Sequence, residues 1–251
     1  MNIVSKTLRL RKGAQEIPET PMEAYNKKIS IPFAVYDHVK KIKIKQKRVT
    51  LYELRRQCIV ALVSGFEIYW RELIKILVDS YNVEKRILKK FNNKKIALSN
   101  FEDIDLHKIS LGELITNGYT IQSLDSLNEI IEKILRKNVF DEFLDGMAIQ
   151  KSSDLDQEEK ECKRTMRDIG FKKFVKEIEL VFEIRHETVH NFGTQYDISE
   201  EQLYNMHTSV TSFNMFYGAY VEVQFNDVYK QKKKYKRSGF SFLNGDKGLF
   251  F

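Results

Sequence analysis

Residues 183–193 read Glu-Ile-Arg-His-Glu-Thr-Val-His-Asn-Phe-Gly, and no other stretch of the chain is as dense in catalytic residue types. Two of the five histidines lie here, His186 and His190, four residues apart and so on one face of a helix. Arg185, Glu187 and Asn191 flank them. Two chemistries fit this group. In the first, His186-Glu187-Thr188-Val189-His190 reads as H-E-x-x-H, two imidazole ligands for zinc with a glutamate as general base. Gly193 falls where the longer zinc-protease pattern places a glycine, but its third-ligand position holds Tyr196 instead of histidine. No strand pattern precedes the motif to supply a substrate-binding sheet, so zinc hydrolysis is the lesser reading.

In the second chemistry RNA is cut with no metal and no cofactor. The 2′-hydroxyl attacks its own phosphate, a base takes its proton, and an acid protonates the leaving 5′-oxygen. Histidine suits both proton steps because its unperturbed pKa is ~6.5. Arginine suits the phosphorane charge because its planar fork holds two phosphate oxygens at once. Arg185 and His190 supply these groups in the spacing R-x4-H, with His186, Asn191 and Glu187 placed to support them.

Here the chain resembles the HEPN superfamily (higher eukaryotes and prokaryotes nucleotide-binding). Its signature is an Arg, then a polar residue, then a His four to six residues after the Arg, late in a helical domain. His186 fills the polar slot, and His190-Asn191 is similar to the common His-Asn ending. The apolar lead-in from Phe174 to Ile184 resembles the helix that carries the signature, and Cys58 to Trp70 is similar to the first core helix. The resemblance covers roughly residues 50–229, though only the signature is specific. It implies an all-α, HEPN-like helical bundle acting as a metal-independent endoribonuclease on tRNA or mRNA. It further implies a homodimer with two signatures facing one groove, and a role as a toxin or antiphage abortive-infection effector restrained by an antitoxin or sensor protein. Superfamily members that bind nucleotides or partners without cleaving are the alternative. A blander reading makes His186 and Glu187 the polar face of a helix end, where the dipole favours histidine.

Helix geometry raises a difficulty. Residues five apart on an ideal helix point about 140° apart, so Arg185 and His190 converge only if the helix ends at the motif or a second copy contributes. Asn191 and Gly193 provide an end signal.

The elements that must position this segment are helical. A long helix is expected from Thr50, capped by a Thr50–Glu53 box, through Leu62, Phe66, Leu73 and Leu77 to about Tyr81, with Ser64-Gly65 as a kink or close-packing point. Boxes at Ser110–Glu113 and Ser199–Gln202 start two more helices, and amphipathic spacing gives others over 124–136, 139–144 and 171–191. The last runs from Ser199 to about Tyr229, with Trp70 and the Phe213–Tyr220 series falling at core spacing. Pro32 is expected to interrupt a helix that begins near Met22. The organisation is then an arm over 1–20 with a possible short strand, a helical domain over 21–229, and a basic, aromatic tail over 230–251.

Composition bounds the rest. Only 11 Gly and 3 Pro in 251 residues argue against a turn-rich β sandwich. A net charge of +7 permits a polyanionic partner. The basic runs Lys40, Lys41, Lys43, Lys45, Lys47, Arg48 and Lys232, Lys233, Lys234 could grip an RNA backbone, or could equally be solvated surface. Cys58 and Cys162 are too few and too distant for a disulfide scaffold or a metal pair. No apolar run is long enough for a membrane span and no secretory signal opens the chain, so a cytoplasmic protein without a membrane partner is expected. His38, His107 and His207 stand alone, and no glycine pattern makes a phosphate loop.

Overall fold

The computed structural model describes residues 20–81, 83–84, 87, 90–91, 109–150, 162–165, 171–190, 197–229 and 249–250. The class is all-α, as the spacing predicts. Among the described residues seven helices carry the fold: α1 Pro21–Lys41, α2 Lys47–Ser80, α3 Leu111–Gly118, α4 Leu124–Leu135, α5 Val139–Leu144, α6 Phe171–His190 and α7 Glu200–Tyr229. Three short strands, β1 Met147–Gln150, β2 Cys162–Thr165 and β3 Leu249–Phe250, pair in the order β2-β1-β3. The expected N-terminal strand and the basic tail at 230–237 lie outside the described residues.

α2 is the axis on which α1, α3, α6 and α7 pack. At 1.5 Å per residue its 34 residues span about 51 Å, so one helix can serve neighbours along its whole length. Its apolar face, from Cys58 and Ile59 through Leu62, Phe66, Trp70 and Ile74 to Leu77 and Val78, is buried. Trp70 sits at the centre against Tyr217 (ring centroids 5.3 Å apart) and Phe213 (6.1 Å), so the Phe213–Tyr217 series is core, as its spacing implies. The Trp70 indole N–H donates to Asn214 Oδ1 at 3.0 Å, and the Tyr69 hydroxyl donates to the Asn214 carbonyl at 2.6 Å.

Local chemistry sets most helix starts. Glu113 N–H donates to Ser110 Oγ at 3.1 Å while Ser110 N–H donates to the Glu113 carboxylate at 2.9 Å. Ser199 and Gln202 form the same reciprocal pair at 2.8 and 3.1 Å.

Two expectations fail, both at the first helical hairpin. Pro32 does not interrupt α1, which runs unbroken from Thr20, whose side chain accepts from Glu23 N–H, to Lys41. An interior proline costs about 3 kcal/mol. Burying Tyr25 and Ile29 before it and Tyr36 after it contributes ~1.5–3 kcal/mol each, which outweighs that cost. Thr50 is likewise not a cap. α2 starts three residues earlier, after Gln46 in the left-handed region (φ 55°), and Thr50 Oγ1 instead donates to the Gln46 carbonyl at 3.3 Å. Lys47 Nζ closes this turn by donating to the Lys40 carbonyl at 2.7 Å.

Ser64-Gly65 proves a close-packing point within a continuous helix. A Cβ on Gly65 would lie 2.9 Å from Tyr25 Cδ2 and 3.0 Å from Ile29 Cγ2, so only glycine lets α1 press this closely. Gly218 is tighter still, because a Cβ there meets the buried Tyr69 hydroxyl. Gly218→Ala gains ~1 kcal/mol of helix propensity but overpacks a side chain locked by its hydrogen bond, a cost of ~1–3 kcal/mol. A lowered urea midpoint is the expected result, and a raised one would show that Tyr69 can yield.

Candidate active site

α6 delivers the motif. Phe171, Ile178, Val181 and Ile184 bury one face of the helix, and Phe182 meets Phe66 of α2 edge-on, with centroids 5.2 Å apart and ring planes at 89°. α6 and α7 run antiparallel, since Phe171 stacks on Phe213 at 6.1 Å while Ser209 donates to the Glu177 carboxylate nearer the other end. The last turn of α6 rises out of the core. His186 and His190 are exposed, with ring centroids 4.7 Å apart and planes inclined at 45°, and Val189 between them is 40% exposed. The expected sharing of one face by the two imidazoles is therefore observed. Glu187 is half-buried, and Asn191 lies outside the described residues, as does Gly193.

Arg185 points elsewhere. It is half-buried and its charge bears on Glu67, the α2 residue next to Phe66. Burial pushes the Glu67 carboxyl above the usual glutamate range, and the guanidinium groups of Arg71 and then Arg185 pull it part of the way back. Arg71 Nε is buried with no hydrogen-bond partner among the described residues. α6 stays helical through His190, so the 140° divergence between Arg185 and His190 is kept within one chain. Glu67 and Arg71 escaped the sequence reading. The available signal was Glu67 inside the largely apolar run from Cys58 to Trp70, with Arg71 four residues on.

A raised carboxyl pKa means that the folded protein holds this proton more tightly than the unfolded chain does. Ionising Glu67 therefore costs stability as the pH climbs from the ordinary glutamate value. Glu67→Gln removes that cost, so the variant's stability relative to wild type rises between about pH 4 and pH 7. Urea titrations across that range check it, and a difference that does not change with pH would contradict the assignment.

The basic tip between α1 and α2 lies at the same end of the bundle as the motif. Lys40 pairs with Glu200 at the start of α7, and Arg55 donates to the Ile198 carbonyl just before it. α6 ends ten residues short of Glu200 and runs antiparallel to α7, which brings His190 to that end. Of the expected phosphate-gripping residues, Lys40 and Lys47 are thus engaged within the fold, while Lys41, Lys43, Lys45 and Arg48 are exposed and carry no ion pair among the described residues. Lys232, Lys233 and Lys234 lie outside the described residues.

Comparison with protein-family models, characterised proteins and solved structures returns no match. The site must be read from its own chemistry.

Among the described residues no group of three or more His, Cys, Asp or Glu side chains is arranged to hold a metal ion, so His186 and His190 have no third ligand there. Within those residues the donor set of the H-E-x-x-H reading is incomplete. No helix of the described residues is long and apolar enough to cross a membrane. His207 is half-buried against the Phe33 ring at 4.9 Å, where burial lowers its pKa, and this is a packing role. His38 is exposed, and His107 lies outside the described residues. Burial pushes the Cys58 thiol up to about 12, which leaves little thiolate for chemistry.

Proposed function

We propose that the chain is a metal-independent endoribonuclease of the HEPN type, a toxin or antiphage effector that cuts tRNA or mRNA. The observation that carries this reading is the exposed, closely spaced His186–His190 pair at the open end of α6, one residue beyond Arg185. Two imidazoles this close can divide the proton work. One, neutral, takes the proton of the 2′-hydroxyl as its oxygen bonds to phosphorus. The other, protonated, gives a proton to the 5′-oxygen as the P–O bond breaks. His190 at the tip is the principal proton carrier, with His186, Glu187 and Asn191 in support. The products are a 2′,3′-cyclic phosphate and a 5′-hydroxyl. Arg185 clamps the phosphate oxygens and holds the charge that builds on them. The exposed Lys41, Lys43, Lys45 and Arg48 at the same end of the bundle draw in the RNA backbone.

The divergence of Arg185 and His190 within one helix supports a homodimer in which each groove takes the arginine of one chain and the histidine of the other. An antitoxin or sensor protein would restrain it. A second reading, a HEPN-type module that binds nucleotide or a partner without cutting, draws on the half-burial of Arg185 within electrostatic reach of Glu67.

The test incubates the purified protein and His190→Ala with total cellular RNA in EDTA and maps the product ends. Cleavage by wild type alone, leaving cyclic phosphate and 5′-hydroxyl ends, is the expected result. Cleavage that His190→Ala retains would remove the site. No cleavage by either protein, combined with no growth arrest on expression, would favour the binding module.

A further inference from the structure

The large apolar side chains that the described fold leaves exposed are concentrated in one place. Of seven, five lie within residues 31–49: Ile31 (69% exposed), Val35 (43%), Ile42, Ile44 and Val49 (60%). Ile31, Val35 and Ile42 stand at i, i+4 and i+11 along α1 and its C-cap, with exposed His38 at i+7. At 100° per residue Ile31, Val35 and His38 fall within about 60° of one another, Ile42 follows at the extended C-cap, and the core-facing Tyr25, Ile29 and Tyr36 point to a different side. The result is a straight, narrow apolar seam about 16 Å long on the outer face of α1.

Cations close both ends of the seam. Lys28 is exposed at one end, and Lys41, Lys43, Lys45 and Arg48 at the other. No acidic residue occurs between Asp37 and Glu53, and two carboxylates beside the tip are occupied, Asp37 by the Tyr204 hydroxyl and Glu200 by Lys40. The positive charge of the tip therefore has no partner within the described fold.

We infer that the outer face of α1 and the α1–α2 tip form a docking surface for an amphipathic, acidic helix of a partner protein. The spacing i, i+4, i+7, i+11 is that of the apolar seam by which two helices pair side by side. The flanking lysines select the sign of the partner's charge. RNA would satisfy the lysines but gain nothing from Ile31, Val35 and Ile42. An anionic membrane rewards a broad apolar face more than a seam one side chain wide. A helix whose own apolar seam is bordered by Asp or Glu satisfies both features. The inference is independent of the ribonuclease reading.

The test is direct binding to the full-length protein. The probe is a fluorescent helical peptide of about three heptads, with leucine at the seam positions and glutamate on the flanks. Its control has the same seam and lysine flanks. The acidic peptide is expected to bind, the lysine peptide to bind at least about tenfold more weakly, and added salt to weaken the acidic one. Ile31→Ser with Val35→Ser, and separately Lys41→Glu with Lys43→Glu, are each expected to weaken it by at least about tenfold. Both pairs are solvent-exposed, and an unchanged unfolding midpoint shows that the fold is retained. Equal binding of the two peptides, wild-type binding by the Ile31/Val35 variant, or no binding of the acidic peptide overturns the proposal. So does wild-type protein that sediments with phosphatidylserine vesicles, or retains RNA through Ile31 and Val35, while ignoring the peptide.

Discussion

Mixing Arg185→Ala chains with His190→Ala chains restores RNA cleavage that neither variant carries alone. Each single variant is expected to lose at least ~100-fold, because one general acid–base group contributes about 10²–10⁴ to a rate and one donor that stabilises the developing charge about 10²–10³. Restoration follows from where the two side chains point. α6 is regular through His190, His190 lies against His186, and Arg185 leaves the helix about 140° away from His190. One helix cannot bring both to the same phosphate. In a two-fold dimer with composite grooves, a mixed pair holds one groove with both residues intact and one with neither. Chains re-paired at random then regain about a quarter of wild-type activity. The measurement is cleavage of a defined RNA in EDTA by co-expressed or co-refolded chains. A mixture as inactive as its parts would place the whole site within one chain, or dissolve it.

Trp70→Ala is expected to produce the largest loss of stability of any single change in the described core. Truncating a fully buried tryptophan costs ~3–5 kcal/mol through lost burial and the cavity left behind. It also strips Asn214 Oδ1 of its donor, a further ~1–3 kcal/mol. Asn214 Nδ2 already lacks a partner, so the side chain would be buried with no hydrogen bond on either polar atom among the described residues. Against a typical domain stability of ~5–15 kcal/mol, the variant stands at or beyond the limit of folding. Trp70→Phe separates the two effects, since it retains most aromatic contact with Phe213 and Tyr217 but loses the indole N–H. Urea unfolding should place it between wild type and Trp70→Ala, and equal stability of Trp70→Phe and wild type would show the Asn214 hydrogen bond to be worth nothing.

Much of this was legible in residue order. The reciprocal Ser110–Glu113 and Ser199–Gln202 pairs act within one turn, so four residues suffice to find them. The apolar periods over 58–78, 124–135 and 203–225 also survive unchanged, because burying a continuous face is what stabilises a helix in a folded protein. His186 and His190 meet because i and i+4 always share a helical face.

What residue order did not reveal depends on partners distant in the chain. Pro32 and Thr50 carry strong local signals, yet the first is overridden by the seating of Tyr25, Ile29 and Tyr36, and the second by a tip that turns at Gln46. Gly65 matters through Tyr25 and Gly218 through Tyr69, neither of which is a neighbour in sequence. The environment of Glu67, with the charge of Arg185 bearing on it, arises only when α6 docks on α2. Local rules act through interactions that close within one helical turn, and they settled the helices and the histidine pair. Burial and charge act between segments more than a hundred residues apart, and only their packing decided that the Arg185 charge would bear on Glu67 of α2 while the two imidazoles remained in solvent.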